Sequence, residues 1–353
     1  MTTTMIKDKI NPRVRNLPAY VAGVQREGTI RLMSNENNYG ASQRVMRAVE
    51  KANINLYTDP TYFELCKKIA DYCGVKPENI IPANGSDEAM DFIGKVFLCE
   101  GDEVLSVSPT FSMYRIVAMM YGAKYNEVPL EADFSFDAER FIGSINENTK
   151  LVFLANPNNP TGTQIDRKDI KNILKSTDAL VVIDEAYAEF SGESVADLAG
   201  EYKNLIVTRT FSKAFGLAGA RLGYIIWGSA QTQIINLVRQ PWNISSFTNA
   251  AGISALGDVR YMQGCVGKIR SDRKRMADAL KKSGFGVFPS GANFLFVDVS
   301  PMSSDSFFDK MLENKIVVRK FGKIAGFGGD YVRITVGTTE ETDKFISALG
   351  SLR

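Results

Sequence analysis

From about residue 42 to residue 254 the chain alternates short, unbroken apolar runs with stretches of helical periodicity, and this limits the folds open to it. The runs lie at 79–82, 103–107, 151–154, 179–183, 205–208 and 223–227. A strand with one wet face alternates polar and apolar residues. Several of these runs are continuous instead, as parallel strands covered on both faces are. Helical patterns such as 86–97 and 166–176 lie between them. Strand–helix–strand repetition predicts an α/β sheet sandwiched by helices.

After residue 255 the pattern changes. A long helical stretch at 262–283 precedes strand-like runs at 293–299, 317–319 and 331–336, a helix at 304–314 and a last helix from Thr339. That order predicts a smaller α+β domain. Residues 1–45 are rich in loop signals, with Pro12, Pro18 and a turn-prone run at 35–40. The expected division is an N-terminal arm at 1–45 serving the small domain and substrate site, a large domain at 46–254 and a small one at 255–353. The 353-residue length fits about two domains. With 44% hydrophobic residues there is material for a core, and a net charge of +2 nominates neither nucleic acid nor membrane as a partner. One basic run, 268–282, carries Ile269, Met276 and Leu280 at helical spacing and reads as a solvated helix face. No stretch is apolar for long enough to span a bilayer, and residues 1–11 lack a signal-peptide apolar region, so a cytoplasmic location is expected. The four cysteines form no Cys-x-x-Cys pair, which argues against a disulfide framework or a zinc knuckle. Histidine is absent, which removes Ser-His-Asp and Cys-His catalysis and every histidine metal site. Acid–base work falls to lysine, tyrosine, carboxylates or a cofactor.

In open α/β sheets ligands bind beyond the carboxyl ends of the strands. Three consecutive strand ends here carry reactive groups. The run at 151–154 leads to an Asn/Pro-rich turn containing Asn159. The run at 179–183 ends at Asp184 and Tyr187. The run at 205–208 leads to Ser212, Lys213 and, beyond a glycine-rich turn, Arg221. A lysine packed there loses water, which lowers an ammonium pKa and leaves an amine able to attack a carbonyl. A surface lysine after a strand is the alternative. Gly85, Ser86 and Asp87 open a helix after a strand, so backbone N–H groups there can hold an anion, unless Ser86 is an ordinary N-cap. Together these groups suit pyridoxal phosphate chemistry: a lysine that holds the cofactor as an imine, a carboxylate for the pyridine nitrogen, and a phenol and an amide for the ring oxygen.

The chain resembles fold type I pyridoxal phosphate aminotransferases, and more closely the histidinol-phosphate aminotransferase family. The resemblance rests on Asn35-Glu36-Asn37, Tyr57-Thr58-Asp59-Pro60, the run at 84–88, Pro109 to Tyr114, the turn at 156–162, Asp184 to Tyr187, Ser212 to Arg221, and the run at 332–338. It implies a mostly parallel, seven-stranded-type sheet and a homodimer. Lys213, Asp184 and Tyr187 would be catalytic. Gly85, Ser86, Asp87, Phe111, Asn159, Ser212 and Arg221 would bind cofactor, with Phe111 stacked on its ring. Tyr57 would complete the neighbouring subunit's site. Arg333 would clamp the substrate α-carboxylate bidentately, Tyr20 and Arg319 would meet a distal phosphate or second carboxylate, and Asn35 would also bind substrate. The resemblance implies transfer of an amino group from L-histidinol phosphate to 2-oxoglutarate. An aromatic-amino-acid aminotransferase, an amino-acid phosphate decarboxylase and a non-catalytic regulator are the alternatives. Two departures stand near the substrate: Asn38 where the family usually has proline, and Thr58 after Tyr57. Phe111 and Tyr114 are also readable as core aromatics, and the Arg333 face as a solvated one.

Overall fold

The structure, a computed structural model, describes residues 9–15, 17, 18, 23 and 26–350. Its strands in chain order are β1 (Ile30–Leu32), β2 (Ile80–Ala83), β3 (Glu103–Ser108), β4 (Lys124–Pro129), β5 (Thr149–Ala155), β6 (Leu180–Asp184), β7 (Leu205–Thr210), β8 (Gly223–Ile226), β9 (Gly286–Val287), β10 (Phe294–Asp298), β11 (Ile316–Lys323) and β12 (Asp330–Thr335). β2 to β8 form a seven-stranded sheet in the order β2-β8-β7-β6-β5-β3-β4. The other five form a second sheet in the order β1-β11-β12-β10-β9. In the large sheet only β8 runs against its neighbours, pairing antiparallel with both β2 and β7. This is the mostly parallel, helix-flanked α/β architecture expected, with a smaller α+β assembly beside it.

The unbroken apolar runs build two cores because alternate residues of a strand point to opposite faces. Val152, Leu154, Val181, Ile183, Leu205 and Val207 join one hydrophobic cluster. Leu151, Phe153, Val182 and Ile206, their chain neighbours, join the other. Helices close both sides. Helix Gly85–Phe97 buries Met90, Phe92 and Ile93, and helix Arg167–Ser176 buries Ile170, Ile173 and Leu174 at i, i+3, i+4 spacing. Helix Val259–Lys282 buries Ile269, Met276 and Leu280 as expected, although its basic face is not wholly solvated: Arg270 and Arg273 donate to the carbonyls of Phe190 and Ala292.

Three strands have no counterpart among the expected runs: β1, β4 and the two-residue β9. β4 (Lys-Tyr-Asn-Glu-Val-Pro) is an edge strand whose polar residues face solvent, so it has no apolar run to betray it. β1 lies in the loop-rich arm and pairs parallel with β11, nearly 290 residues later in the chain. All four cysteines are free thiols. Among the described residues no helix is long and apolar enough to cross a membrane.

Candidate active site

The chain leaves β3 to one side, toward β4, and leaves β5 to the other, toward β6. Such a switch point opens a crevice at the strand ends. A cavity of about 280 Å³ lies there, beneath the five-stranded sheet. It is lined by Phe111 after β3, Asn159 after β5, Asp184 and Tyr187 at β6, and Ser212, Lys213 and Arg221 after β7. Ser86 and Asp87 come from the start of helix Gly85–Phe97, Asn35 from the N-terminal arm, and Arg319 and Arg333 from the small sheet.

One end of the cavity is built for an anion. Asn84, not Ser86, is the N-cap of helix Gly85–Phe97 and makes no side-chain cap bond, so Ser86 and Asp87 stand in the first turn with the helix's unsatisfied N–H groups. Gly85 has φ +81°, a left-handed conformation that favours glycine. A Cβ there would come within 2.6 Å of Arg221 Nη2, so the missing side chain lets the guanidinium lie against the helix start. Arg221 donates to Ser212 Oγ at 3.4 Å and is held by Asp87 Oδ2 at 3.1 Å.

At the other end Asp184 is buried. Its Oδ2 accepts from the Tyr114 hydroxyl at 2.9 Å and its Oδ1 from Ala186 N at 3.2 Å. Loss of water pushes its carboxyl up to about 6, with the Tyr114 and Ala186 hydrogen bonds pulling the other way. Glu185, next in the chain, faces away from the cavity. It accepts from Arg209 Nε at 2.9 Å, Ser194 Oγ at 2.7 Å and Val195 N at 2.6 Å, a buried clamp that joins the ends of β6 and β7.

Lys213 lines the same cavity. Its side chain is half-buried, but the ammonium is enclosed and donates to the Ser34 carbonyl at 3.0 Å, with the Tyr187 ring 5.9 Å away. Burial lowers its pKa to about 8, helped by the nearby Arg333 charge and opposed by Glu36. At neutral pH a useful fraction of the amine is therefore unprotonated.

Arg319 and Arg333 are cross-strand partners on β11 and β12. Two like charges directly opposite destabilise a sheet unless something else meets them. The Arg333 face is thus a cavity face, not a solvated one: Arg333 donates to Asn159 Oδ1 and, at 2.8 Å, to the Met33 carbonyl. Asn35, at φ +56°, is pinned by Thr335, to which its backbone N–H donates at 2.9 Å, and its side-chain amide donates to the Tyr187 hydroxyl at 3.0 Å.

Residues 27–349 match the family model of aminotransferases of classes I and II. The chain belongs to this family. It is 36% identical to a histidinol-phosphate aminotransferase of Methanocaldococcus jannaschii, with 98% of each chain covered, and 38% identical to one of Brevibacillus brevis, with 96% of each covered. Among solved structures it resembles the histidinol-phosphate aminotransferase of Sinorhizobium meliloti in complex with pyridoxal-5'-phosphate, with a TM-score of 0.89, 26% identity and 98% of both chains covered.

Among the described residues, two of this aminotransferase's expected site residues do not themselves line the cavity: Gly85, which stands behind Arg221 at the helix start, and Tyr57. Tyr57 is 80% exposed and stacks on Trp242, with ring centroids 4.4 Å apart. Tyr20 lies outside the described residues. Conversely, Glu36 and Thr210 line the cavity and Tyr114 touches Asp184, three residues not among the expected site groups. Alternation along β7 places Thr210 with Thr208, opposite the Arg209 that clamps Glu185. Tyr114 follows Phe111 by three residues at the start of helix Met113–Met120, a spacing that puts both on one side of the turn. The cofactor implied by the resemblance fits these residues: a cradle opened by a missing side chain for its phosphate, a buried carboxylate for its ring nitrogen, and an enclosed amine in the same cavity.

Proposed function

We propose that this aminotransferase uses pyridoxal 5'-phosphate to move the amino group of L-histidinol phosphate to 2-oxoglutarate, with Lys213, Asp184 and Tyr187 as its catalytic groups. The observation that carries the reading is that one cavity is lined by a buried lysine amine, a buried aspartate, the helix-start anion cradle with Arg221, and two arginines of the small sheet. The donor is supported by relatives of that name at 36% and 38% identity along nearly the whole chain.

When bound, pyridoxal phosphate supplies a carbonyl that amines attack and a protonated ring that accepts electrons from an ionising C–H bond. The helix start at Gly85, Ser86 and Asp87, with Ser212 and Arg221, would hold its phosphate. Asp184 would pair with the ring nitrogen and keep it charged. Asn159 and Tyr187 would bind the ring oxygen, and Phe111 would stack on the face of the ring. Lys213 Nζ, whose ammonium is lowered by burial to a pKa of about 8, is the base that takes a proton from the donor's amine-bearing carbon and returns it on the other side of the transfer. Arg333 and Arg319 suit a phosphate dianion on the donor and a carboxylate on the acceptor, so one anion site serves both half-reactions.

Outside the cavity, Ile54, Leu56, Tyr57, Phe63, Leu237 and Trp242 are exposed. An apolar patch of this kind fits an interface between two copies, with Tyr57 reaching the partner's phosphate cradle.

A half-reaction screen tests the donor. Cofactor-loaded protein is mixed with single amino donors and the visible cofactor band is followed. L-histidinol phosphate should discharge the band. Phenylalanine succeeding where histidinol phosphate fails would reassign the donor, and carbon dioxide release would point to a decarboxylase.

A further inference from the structure

We propose that Tyr114 is a positioning residue of this enzyme, acting through Asp184: its hydroxyl fixes the carboxylate in the orientation that a cationic ring nitrogen in the cavity requires. The proposal rests on the pyridoxal phosphate reading above and goes beyond the residues that line the cavity.

Tyr114 is fully buried and its OH donates to Asp184 Oδ2 at 2.9 Å. A carboxylate offers about four lone-pair sites over its two oxygens. Ala186 N takes one on Oδ1 and Tyr114 one on Oδ2. These two donors, from different elements, stop rotation about the Asp184 side chain and leave lone pairs for an N–H arriving from the cavity. Without Tyr114, Asp184 would keep only the backbone donor at 3.2 Å and the Thr208 hydroxyl, and buried charges need hydrogen bonds to stay ionised. The phenol cannot exchange roles with the acid, because burial and the Asp184 charge push its own pKa far up and keep it a donor.

The hydroxyl is preset by packing. The Tyr114 ring stacks on Phe153 of β5, 5.0 Å between centroids at 3°. Its edge meets Phe111 at 5.7 Å and 89°. One side chain therefore touches both the aromatic that would stack on the cofactor ring and the carboxylate that would pair with its ring nitrogen. A core aromatic needs only its ring. This one also places a donor on a catalytic carboxylate, at the price of bringing a hydroxyl into the interior.

Tyr114→Phe removes the oxygen and keeps the packing. In cofactor-free protein, carbon-13 NMR of labelled aspartate should show Asp184 titrating at higher pH in the variant than in wild type. In cofactor-loaded protein kcat should fall about tenfold or more, the factor expected for one hydrogen bond to a charged group, while KM for the donor stays within about twofold. In an Asp184→Asn background, Tyr114→Phe should add nothing. An unchanged titration and kcat would overturn the proposal. So would an equal loss in the Asp184→Asn background, because the tyrosine would then act through packing. A wild-type protein that takes up no pyridoxal phosphate would instead overturn the functional reading, and the NMR comparison would still decide whether Tyr114 sets the state of Asp184.

Discussion

Asp184 and Lys213 are both held toward their uncharged forms by burial, one raised to about 6 and the other lowered to about 8. Such convergence is costly to the fold and useful to the chemistry, and stability should record it. For Asp184 the folded-state pKa lies above the ordinary 3.8. Between those values the folded protein binds more protons than the unfolded chain, so stability is highest below about 4 and falls as pH rises to about 6. The full cost is about 3 kcal/mol. Asp184→Asn carries no such titration. The cofactor-free variant should equal wild type in denaturant stability near pH 4 and exceed it by up to about 3 kcal/mol at pH 7. A variant that is less stable than wild type at pH 7 would contradict the origin assigned to this shift. Bound cofactor should reverse the order, since a cationic ring nitrogen gives the charged Asp184 a partner.

Elements place these residues by simple geometry. At the end of β6, two successive carboxylates point to opposite faces: Asp184 into the cavity and Glu185 into the clamp with Arg209. The β2-to-helix turn does comparable work for the phosphate, and its key residue is Gly85. A side chain there meets two penalties, a left-handed backbone and a 2.6 Å approach to Arg221. Gly85→Ala should lower stability by about 1–2 kcal/mol from the backbone alone. By displacing Arg221 it should also raise the Kd for pyridoxal phosphate at least about tenfold, the equivalent of about 1.4 kcal/mol. Titration of cofactor into the purified variant checks this. Unchanged affinity would show that Arg221 does not need its place over the helix start.

At the level of the molecule, the site exists because two sheets far apart in sequence close on each other. The large sheet brings the lysine and the aspartate. The small sheet brings two arginines, and β12 and the Phe294 segment secure Asn35 and Tyr187 beneath them. Tyr57 does not reach this cavity within one chain, and its exposure beside Trp242 and Leu56 leads to a test of the proposed dimer. Tyr57→Ala and Lys213→Ala variants, each nearly inactive, should regain activity when unfolded together and refolded as a mixture. A mixed dimer has one site with both an intact Lys213 and an intact Tyr57. Random pairing makes about half the dimers mixed, so recovery should approach about a quarter of wild-type activity. No recovery, with mixed dimers shown to form, would mean that Tyr57 does not serve the neighbouring site.

Much of this could be read from the chain. Continuous apolar runs at 151–154, 179–183 and 205–208 marked parallel strands because a strand buried on both faces must be apolar at every position, and that demand is local. Loops following those strands carried Asn159, Asp184, Tyr187 and Lys213, and the topology of parallel sheets sends such loops to one edge. β4 escaped notice because an edge strand needs no apolar run, and β1 because its stability comes from β11, not from its own three residues. The tertiary structure alone decided that Tyr114 hydrogen-bonds Asp184, that Arg333 donates to Asn159, and that Asn35 joins Tyr187 to Thr335. Periodicity reports which side of an element is buried. Which polar atom finds which partner across that buried surface depends on how the elements settle against one another, and no local pattern encodes it.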